Sequence, residues 1–358
     1  MTLPETSRIE HALLIIALVF IIILAVKQTT YLVSLILMSL ILTMFALPSV
    51  NWLKTKGLSD FLAVLVVTIA ACLVILAFLI LTALSFNTVI SDLPQYQADL
   101  TLRLTDISAL LVTLGISSGT GTLPNFNIGD ILSFAFSGAM SLAEGIMFLF
   151  FVAVTTFFML LEVNPLYNRL ERIFGKDPEG LRKLSSMTGY VIDFIVVRTE
   201  TNFIHGVLFG SFLGLMGVHG AILWGVLTFF LGYIPYFGLV IAAVPAIFFA
   251  WLQFGIPGAV AVVAAICVLN IVVENPVYSF LAARKFEMPA LIVILSVICW
   301  GWLLGIVGMF FAIPFSLILF LIFESCEELR WINAAMGVDR LFGEVKERKK
   351  SAGDTSEK

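Results

Sequence analysis

The sequence predicts an all-α membrane protein that crosses the bilayer several times, and its composition carries that prediction. Of 358 residues, 60% are apolar and only 12% are charged, whereas soluble domains have about 45–50% apolar and about 25% charged residues. One crossing uses about 20 apolar residues, so there is material for many crossings. The formal net charge of −4 gives no electrostatic support to nucleic-acid binding.

Stretches free of Asp, Glu, Lys and Arg mark the membrane-embedded segments, because a charge in hydrocarbon costs at least about 2.5 kcal/mol. A further stretch, residues 131–161, is interrupted only by Glu144. The longest runs exceed one crossing, so we predict about eight embedded segments in all. The first run is expected to be retained, since it lacks a signal-peptide cleavage pattern. The charge-free runs are residues 11–26, 28–53, 61–91, 201–273 and 288–323.

The distribution of Lys and Arg predicts the orientation, because these residues accumulate on the cytoplasmic side. Most of the twenty Lys and Arg residues fall on one side if the amino terminus, residues 50–60, residues 162–190 and the tail share it. We therefore predict a multi-pass protein of the cytoplasmic (inner) membrane with both termini in the cytoplasm.

Residues 1–345 are predicted to form one transmembrane domain. Within it, residues 87–130 predict an external amphipathic helix followed by a Gly/Ser/Asn loop, which serves as a subunit contact or captures substrate. Residues 162–190 carry alternating charges and predict a solvated helix pair in a cytoplasmic loop. Residues 346–358 predict a basic, partly disordered cytoplasmic tail.

The sequence LGYIPYFGLV, residues 231–240, predicts a helix break. Pro235 removes an amide donor, and Gly232 and Gly238 add backbone entropy. Broken backbone persists at membrane depth only where protein or a hydrated cavity satisfies it, so the break is a candidate binding site.

Two re-entrant hairpins are predicted around such breaks. The first consists of residues 221–232 and 238–252, and it would return Arg284 and Lys285 to the cytoplasmic side. The second lies in residues 289–323, whose centre holds three glycines in WGWLLGIVGM. Plain crossings are the alternative for both.

Polar side chains inside the apolar stretches predict the site itself. Arg198, Asn202 and His205 share one helix face, and Asn270 and Glu274 are spaced one turn apart. The sequence ENP at residues 274–276 is expected to loosen its helix. The candidate substrate- or ion-binding residues are therefore Arg198, Asn202, His205, Tyr233, Pro235, Tyr236, Gly238, Asn270, Glu274 and Asn275.

Each of these residues also has a plainer interpretation. Glu274 either binds a proton, a cation or substrate, or it pairs structurally with an arginine such as Arg198. Arg198 can instead extend to the membrane interface. Tyr233 and Tyr236 either bind a ligand or cap the break.

No enzyme motif is present: HExxH, GxSxG and GxxxxGK[ST] are all missing from the sequence. The four cysteines show no paired spacing, which argues against disulfides and against a metal site. We therefore expect neither an enzyme nor a cofactor. Active transport would then need an ion gradient or a partner ATPase.

Two segments resemble the AI-2E family of prokaryotic permeases. They are GAILWGVLTFFLGYIPYFGLVIAAVPA, residues 220–246, and ENPVYSFLAARKFEMPALIVILSVICWGWLLGIVGMFFAIPFSLIL, residues 274–319. The resemblance implies a secondary transporter in a prokaryotic membrane that exports or exchanges a small polar solute such as an autoinducer-2-like signal. It also implies a homo-oligomer, with a pentamer as one arrangement, whose partners are membrane lipid and the solute or H⁺/Na⁺. A Na⁺(Li⁺)/H⁺ antiporter, an oligomeric passive pore and a non-transporting scaffold are the alternatives.

Overall fold

The computed structural model describes residues 8–91, 96, 99–105, 113, 128–174, 178–283, 288–326 and 328–338, and within these it is helical apart from short turns. The prediction of an all-α polytopic membrane protein is confirmed. Among the described residues, four stretches are long and apolar enough to cross a membrane by length and composition: Thr30–Thr55, Asp60–Ser91, Glu144–Leu166 and Gly238–Glu274, the last of which is kinked at Gly255. The helices are α1 Arg8–Gln28, α2 Thr30–Thr55, α3 Asp60–Ser91, α4 Ile128–Phe174, α5 Pro178–Met216, α6 Ala221–Leu231, α7 Gly238–Ala283, α8 Ala290–Leu304, α9 Ile306–Phe310, α10 Ala312–Ser325 and α11 Arg330–Ala335.

The two ends of α3 define two opposite faces of the protein. Asp60, at its start, forms a 3.1 Å ion pair with Lys54 at the end of α2. Val89, near its other end, packs in one cluster with Trp224 of α6. Thirty-two helical residues span about 48 Å, so these ends lie on different sides of a bilayer. We call the side that holds Asp60 and Lys54 the Lys54 face. We call the opposite side, near Val89, the Gly255 face, after a turn at Gly255 that is described next.

Residues 221–255 form a helical hairpin, hairpin 1, in the region where the sequence predicts a re-entrant hairpin of residues 221–232 and 238–252. With 11 residues, α6 is about 16 Å long and cannot cross about 30 Å of hydrocarbon. The chain turns back at residues 232–237, and α7 then runs to Gly255, where φ is 72° and ψ is −160°. There the amide oxygen of Gln253 accepts a hydrogen bond from the backbone N–H of His219, so hairpin 1 starts and ends at the same face.

Beyond Gly255, the second half of α7 runs antiparallel to α5. His205 Nε2 lies 3.2 Å from the backbone oxygen of Leu269, and Arg198 lies against Glu274. Along these two contacts, the residue number rises on α7 while it falls on α5. The chain therefore reverses its direction at Gly255. The predicted arm ended at residue 252, and the glycine at 255 was not identified from the sequence.

The described part of the 87–130 segment rests on the Gly255 face of hairpin 1. Tyr96 is buried, and its ring lies 4.9 Å from that of Phe249. Arg103 donates from Nε to the carbonyl of Leu252 and from Nη2 to that of Gln253, each at 3.1 Å. The rest of this predicted external segment, the tail 346–358, and Arg284 and Lys285 lie outside the described residues.

A second hairpin, hairpin 2, consists of α8, α9 and α10. It turns at Gly305, whose φ is 67°, as the glycine-rich sequence predicts. Its base packs against the residues after α10, where Val338 is fully buried beside Met288 and Ile292. Its two arms are therefore held together at their base.

Three donors from the α1–α2 junction hold the tip of hairpin 2. Lys27 Nζ, Thr30 Oγ1 and Ser34 Oγ donate to the carbonyls of residues 302, 303 and 304, the latter two at 3.0 and 3.4 Å. The last turn of a helix leaves its carbonyls without intrahelical partners. These donors therefore satisfy carbonyls in the last turn of α8.

The tip of hairpin 1 packs against the arms of hairpin 2. Ile234 from hairpin 1 packs in one buried cluster with Val297 and Ala312 from hairpin 2. The ring of Tyr233 lies 6.5 Å from that of Phe310. Hairpin 1 thus contacts hairpin 2 at the break predicted for residues 232–238.

The predicted break at residues 274–276 is wrong. The helix α7 continues through Glu274, Asn275 and Pro276 to Ala283. A single proline removes one helical hydrogen bond, and the helix tolerates that loss, as α2 does at Pro48. The break at residues 232–237 combines a proline with two flanking glycines, which weaken the helix much more.

Candidate solute-binding site

Arg198 joins three separate parts of the chain. Its Nε and Nη2 donate to the carbonyl of Gly232 at 3.0 and 2.7 Å. Its Nη1 donates to both carboxylate oxygens of Glu274, at 2.9 and 3.1 Å. One guanidinium on α5 therefore binds the tip of hairpin 1 and the far half of α7, and the arginine pairing considered for Glu274 is present.

The ion pair lies in the interior. The side chains of Arg198 and Glu274 are 12% and 15% exposed, whereas nearby Glu200 is exposed. Arg198 is thus directed at protein partners and does not extend to the membrane interface. The carbonyl of Gly232 carries the partial negative charge of a helix end, so both partners of Arg198 attract its positive charge.

Hairpin 1 turns through a tightly packed tip. A Cβ placed on Gly238 would lie only 1.6 Å from the backbone oxygen of Leu231. Tyr236 has a φ of 64°, a conformation that costs a non-glycine residue about 1–3 kcal/mol. Such strain persists only where the surrounding structure enforces it, and it is common at functional sites.

The two tyrosines of the tip have different environments. The hydroxyl of Tyr233 lies 2.6 Å from Thr199 Oγ1, whereas the side chain of Tyr236 is 48% exposed. Pro235, between them, is buried. Tyr233 therefore belongs to the polar cluster of α5, and Tyr236 lies away from it. Thr199 was not identified from the sequence, where only its position next to Arg198 could have indicated it.

Asn202, one turn from Arg198, is buried against the same tip. It is 1% exposed, and neither its Oδ1 nor its Nδ2 has a hydrogen-bond partner among the described residues. A Cβ on Gly232 would lie 2.5 Å from Asn202 Oδ1. His205, a further turn along, is also buried. The predicted polar face of α5 therefore faces the tip and α7.

Two predicted site residues on α7 are not brought to this cluster. Asn270 is exposed, and Asn275 lies in the helix while its side chain is outside the described ones. Within the described part of the chain, no three His, Cys, Asp or Glu side chains lie close enough to hold a metal ion.

Close glycine contacts fix the position of hairpin 1 against α5. A Cβ on Gly225 of α6 would lie 2.7 Å from the backbone oxygen of Gly206, so glycine is required where α6 crosses α5.

An open groove of about 340 Å³ runs beside this contact, between α3, α5 and α6. It is lined by apolar residues such as Phe78 and Phe229 and by Ser211. With so little polar lining, the groove does not suit a polar solute.

Sequence comparisons place this arrangement among transport proteins. A sequence model described as "AI-2E family transporter" matches residues 13–328. The chain is 29% identical over 266 residues to "AI-2 transport protein TqsA" of Escherichia coli K12, covering 73% of this chain and 77% of that protein. It is 28% identical over 333 residues to a "putative transport protein" of Haemophilus influenzae, covering 90% and 95%. It is 27% identical over 307 residues to "putative transport protein YhhT" of E. coli K12, covering 86% and 88%.

Proposed function

The chain belongs to the AI-2E transporter family, and we propose that it moves a small polar solute past the junction of Arg198, Glu274 and the tip of hairpin 1. It is a multi-pass membrane transport protein and not an enzyme. The observation that carries the proposal is the pair of hydrogen bonds from Arg198 to the carbonyl of Gly232. An interior charge that binds a helix break offers polar groups where apolar protein would otherwise surround the solute.

The two hairpins supply a route to alternating access. Hairpin 1 reaches the site from the Gly255 face, and in this proposal hairpin 2 reaches it from the Lys54 face. The tip of hairpin 1 packs through Ile234 on Val297 and Ala312 in the arms of hairpin 2. Withdrawal of one tip opens the site to one face while the other tip still covers it, which is the requirement for coupled transport.

AI-2 is the first solute to test, because a relative is named for its transport. The names of the three relatives given above mention no ion, so they do not support the antiporter alternative. We place the Gly255 face outside and both termini in the cytoplasm, on the Lys and Arg distribution alone. The apolar side chains that α1 exposes, among them Leu13, Ile16 and Phe20, require cover from lipid or from a second copy in a homo-oligomer.

Flux of labelled AI-2 through liposomes that contain the purified protein tests this function. We expect flux above that of empty liposomes, and dependence of its net direction on an imposed proton or sodium gradient. A planar bilayer should show no channel-sized conductance. Absence of AI-2 flux under every gradient would rule out AI-2 as the solute, and channel-sized conductance would favour the passive pore.

A further inference from the structure

We propose that Asn202 binds the transported solute through a hydroxyl group, and that Gly232 covers this amide while the site is empty. This inference rests on the proposed function, because it assigns a specific role within the same site. It differs in naming the residue that binds the solute and the kind of group that residue selects.

The starting observation is an amide with no partner in a closed environment. Asn202 is 1% exposed, and both polar atoms of its side chain lack a hydrogen bond within the described part of the chain. A buried group left without a partner costs about 1–3 kcal/mol. A leucine of similar size would avoid that cost, so packing alone gives no reason for an asparagine here.

Neighbouring polar side chains on α5 are satisfied, which makes Asn202 distinctive. Thr201 Oγ1 donates to the carbonyl of Val197 at 2.7 Å, and Thr199 Oγ1 donates to that of Ile195 at 2.6 Å. His205 lies within hydrogen-bond distance of Leu269. The polar groups on both sides of Asn202 are therefore satisfied, by α5 itself or by α7, and the amide of Asn202 is left available.

The chemistry of the amide specifies the group that fits it. Nδ2 donates and Oδ1 accepts, so a partner must accept and donate at once. A hydroxyl does both, whereas a carboxylate would leave Oδ1 unsatisfied and an ammonium would leave Nδ2 unsatisfied. Arg198 and Glu274 neutralise each other beside it, which further favours an uncharged part of the solute.

Gly232 is the reversible cover of this amide. A Cβ at this position would lie 2.5 Å from Oδ1, 2.7 Å from Cγ and 3.0 Å from Nδ2 of Asn202, so the glycine backbone rests directly on the amide. The carbonyl of the same residue accepts from Arg198. Movement of the tip of hairpin 1 uncovers Asn202 and at the same time removes the carbonyl of Gly232 from Arg198. A hydroxyl of the solute can then take the place of Gly232 against the amide.

The first test compares Asn202→Leu with Thr201→Val in liposomes, with labelled AI-2 as the probe. We expect Asn202→Leu to raise the KM for AI-2 about tenfold or more, with a smaller change in maximal rate, and Thr201→Val to leave KM unchanged. The thermal unfolding midpoint of Asn202→Leu should equal or exceed that of the wild type, because an unsatisfied amide is removed. A lowered midpoint with unchanged KM would assign Asn202 a structural role and overturn the proposal.

A second test does not depend on the identity of the solute. Gly232→Ala should lower the unfolding midpoint, and adding Asn202→Ala should restore most of it by making room for the new methyl group. If this restoration occurs but wild-type protein transports no AI-2, then AI-2 is not the solute, and Gly232 still covers Asn202 as proposed. Absence of restoration shows that Gly232 does not cover Asn202 and overturns the inference even if AI-2 is transported.

Discussion

Gly238→Ala is expected to abolish transport and to lower the free energy of unfolding by about 3 kcal/mol. The new Cβ would lie 1.6 Å from the backbone oxygen of Leu231 and 2.5 Å from its carbonyl carbon. A flexible side chain can move away from such a contact, but these atoms belong to the backbone at the end of α6. The tip of hairpin 1 must therefore open, and the carbonyl of Gly232 moves away from Arg198.

A glycine-to-alanine change in hairpin 2 is expected to act in the same way, and one in α4 is the control. A Cβ on Gly308 would lie 1.9 Å from the backbone oxygen of Trp300, so Gly308→Ala is expected to have an effect of similar size. A Cβ on Gly145 of α4 would meet none of the described residues beyond its own helix turns within 4 Å, and Gly145→Ala should leave stability unchanged or raise it by up to about 1 kcal/mol. Thermal unfolding and AI-2 flux of the three variants check the prediction. Wild-type behaviour of Gly238→Ala would contradict the tight tip.

Glu274→Gln leaves Arg198 as an unpaired interior charge and should cost about 3 kcal/mol of stability together with transport. The ion pair is only 12% and 15% exposed, so solvent screens it weakly. Arg198→Met combined with Glu274→Leu removes both charges, and it should recover most of the stability without recovering transport. Recovery of stability without recovery of transport would show that the ion pair is retained for function.

A surface ion pair of the same chemistry is the matched control. Arg169 and Glu162 lie 2.9 Å apart with side chains 64% and 51% exposed, where such pairs contribute below about 1 kcal/mol. Glu162→Gln should therefore change neither unfolding nor flux measurably. If Glu274→Gln behaves like Glu162→Gln in both measurements, the central role of the Arg198 junction is wrong.

Local chemistry made both hairpins predictable. Glycine and proline weaken a helix wherever they cluster, and the clusters at residues 232–238 and 301–308 coincide with the two observed turns. Helical periodicity likewise placed Arg198, Asn202 and His205 on one face, because spacing along a helix fixes direction regardless of the fold.

Other features depend on contacts that are distant in sequence. The reversal at Gly255 is not of this kind, because QFGIPG holds Gly255, Pro257 and Gly258, a cluster like the one at residues 232–238, and it was not identified from the sequence. The choice of Arg198 as the partner of Glu274, and the donation from Thr30 to the carbonyl of Leu303, require knowledge of which helices are neighbours. The break expected at Pro276 is absent, and α7 continues through that proline as α2 continues through Pro48, because membrane-embedded helices tolerate a proline where neighbouring groups satisfy the freed carbonyl.

The most direct test of this account asks which side of the membrane each end of hairpin 1 faces. Single cysteines at His219 and at Ile256, in a background where Cys72, Cys267, Cys299 and Cys326 are replaced by serine, are labelled with a membrane-impermeant maleimide in intact and in opened membrane vesicles. A third cysteine at Lys56 reports the Lys54 face. We expect His219→Cys and Ile256→Cys to be labelled from the same side and Lys56→Cys from the other. Labelling of His219→Cys and Ile256→Cys from opposite sides would show that residues 221–255 cross the membrane, and it would contradict the account.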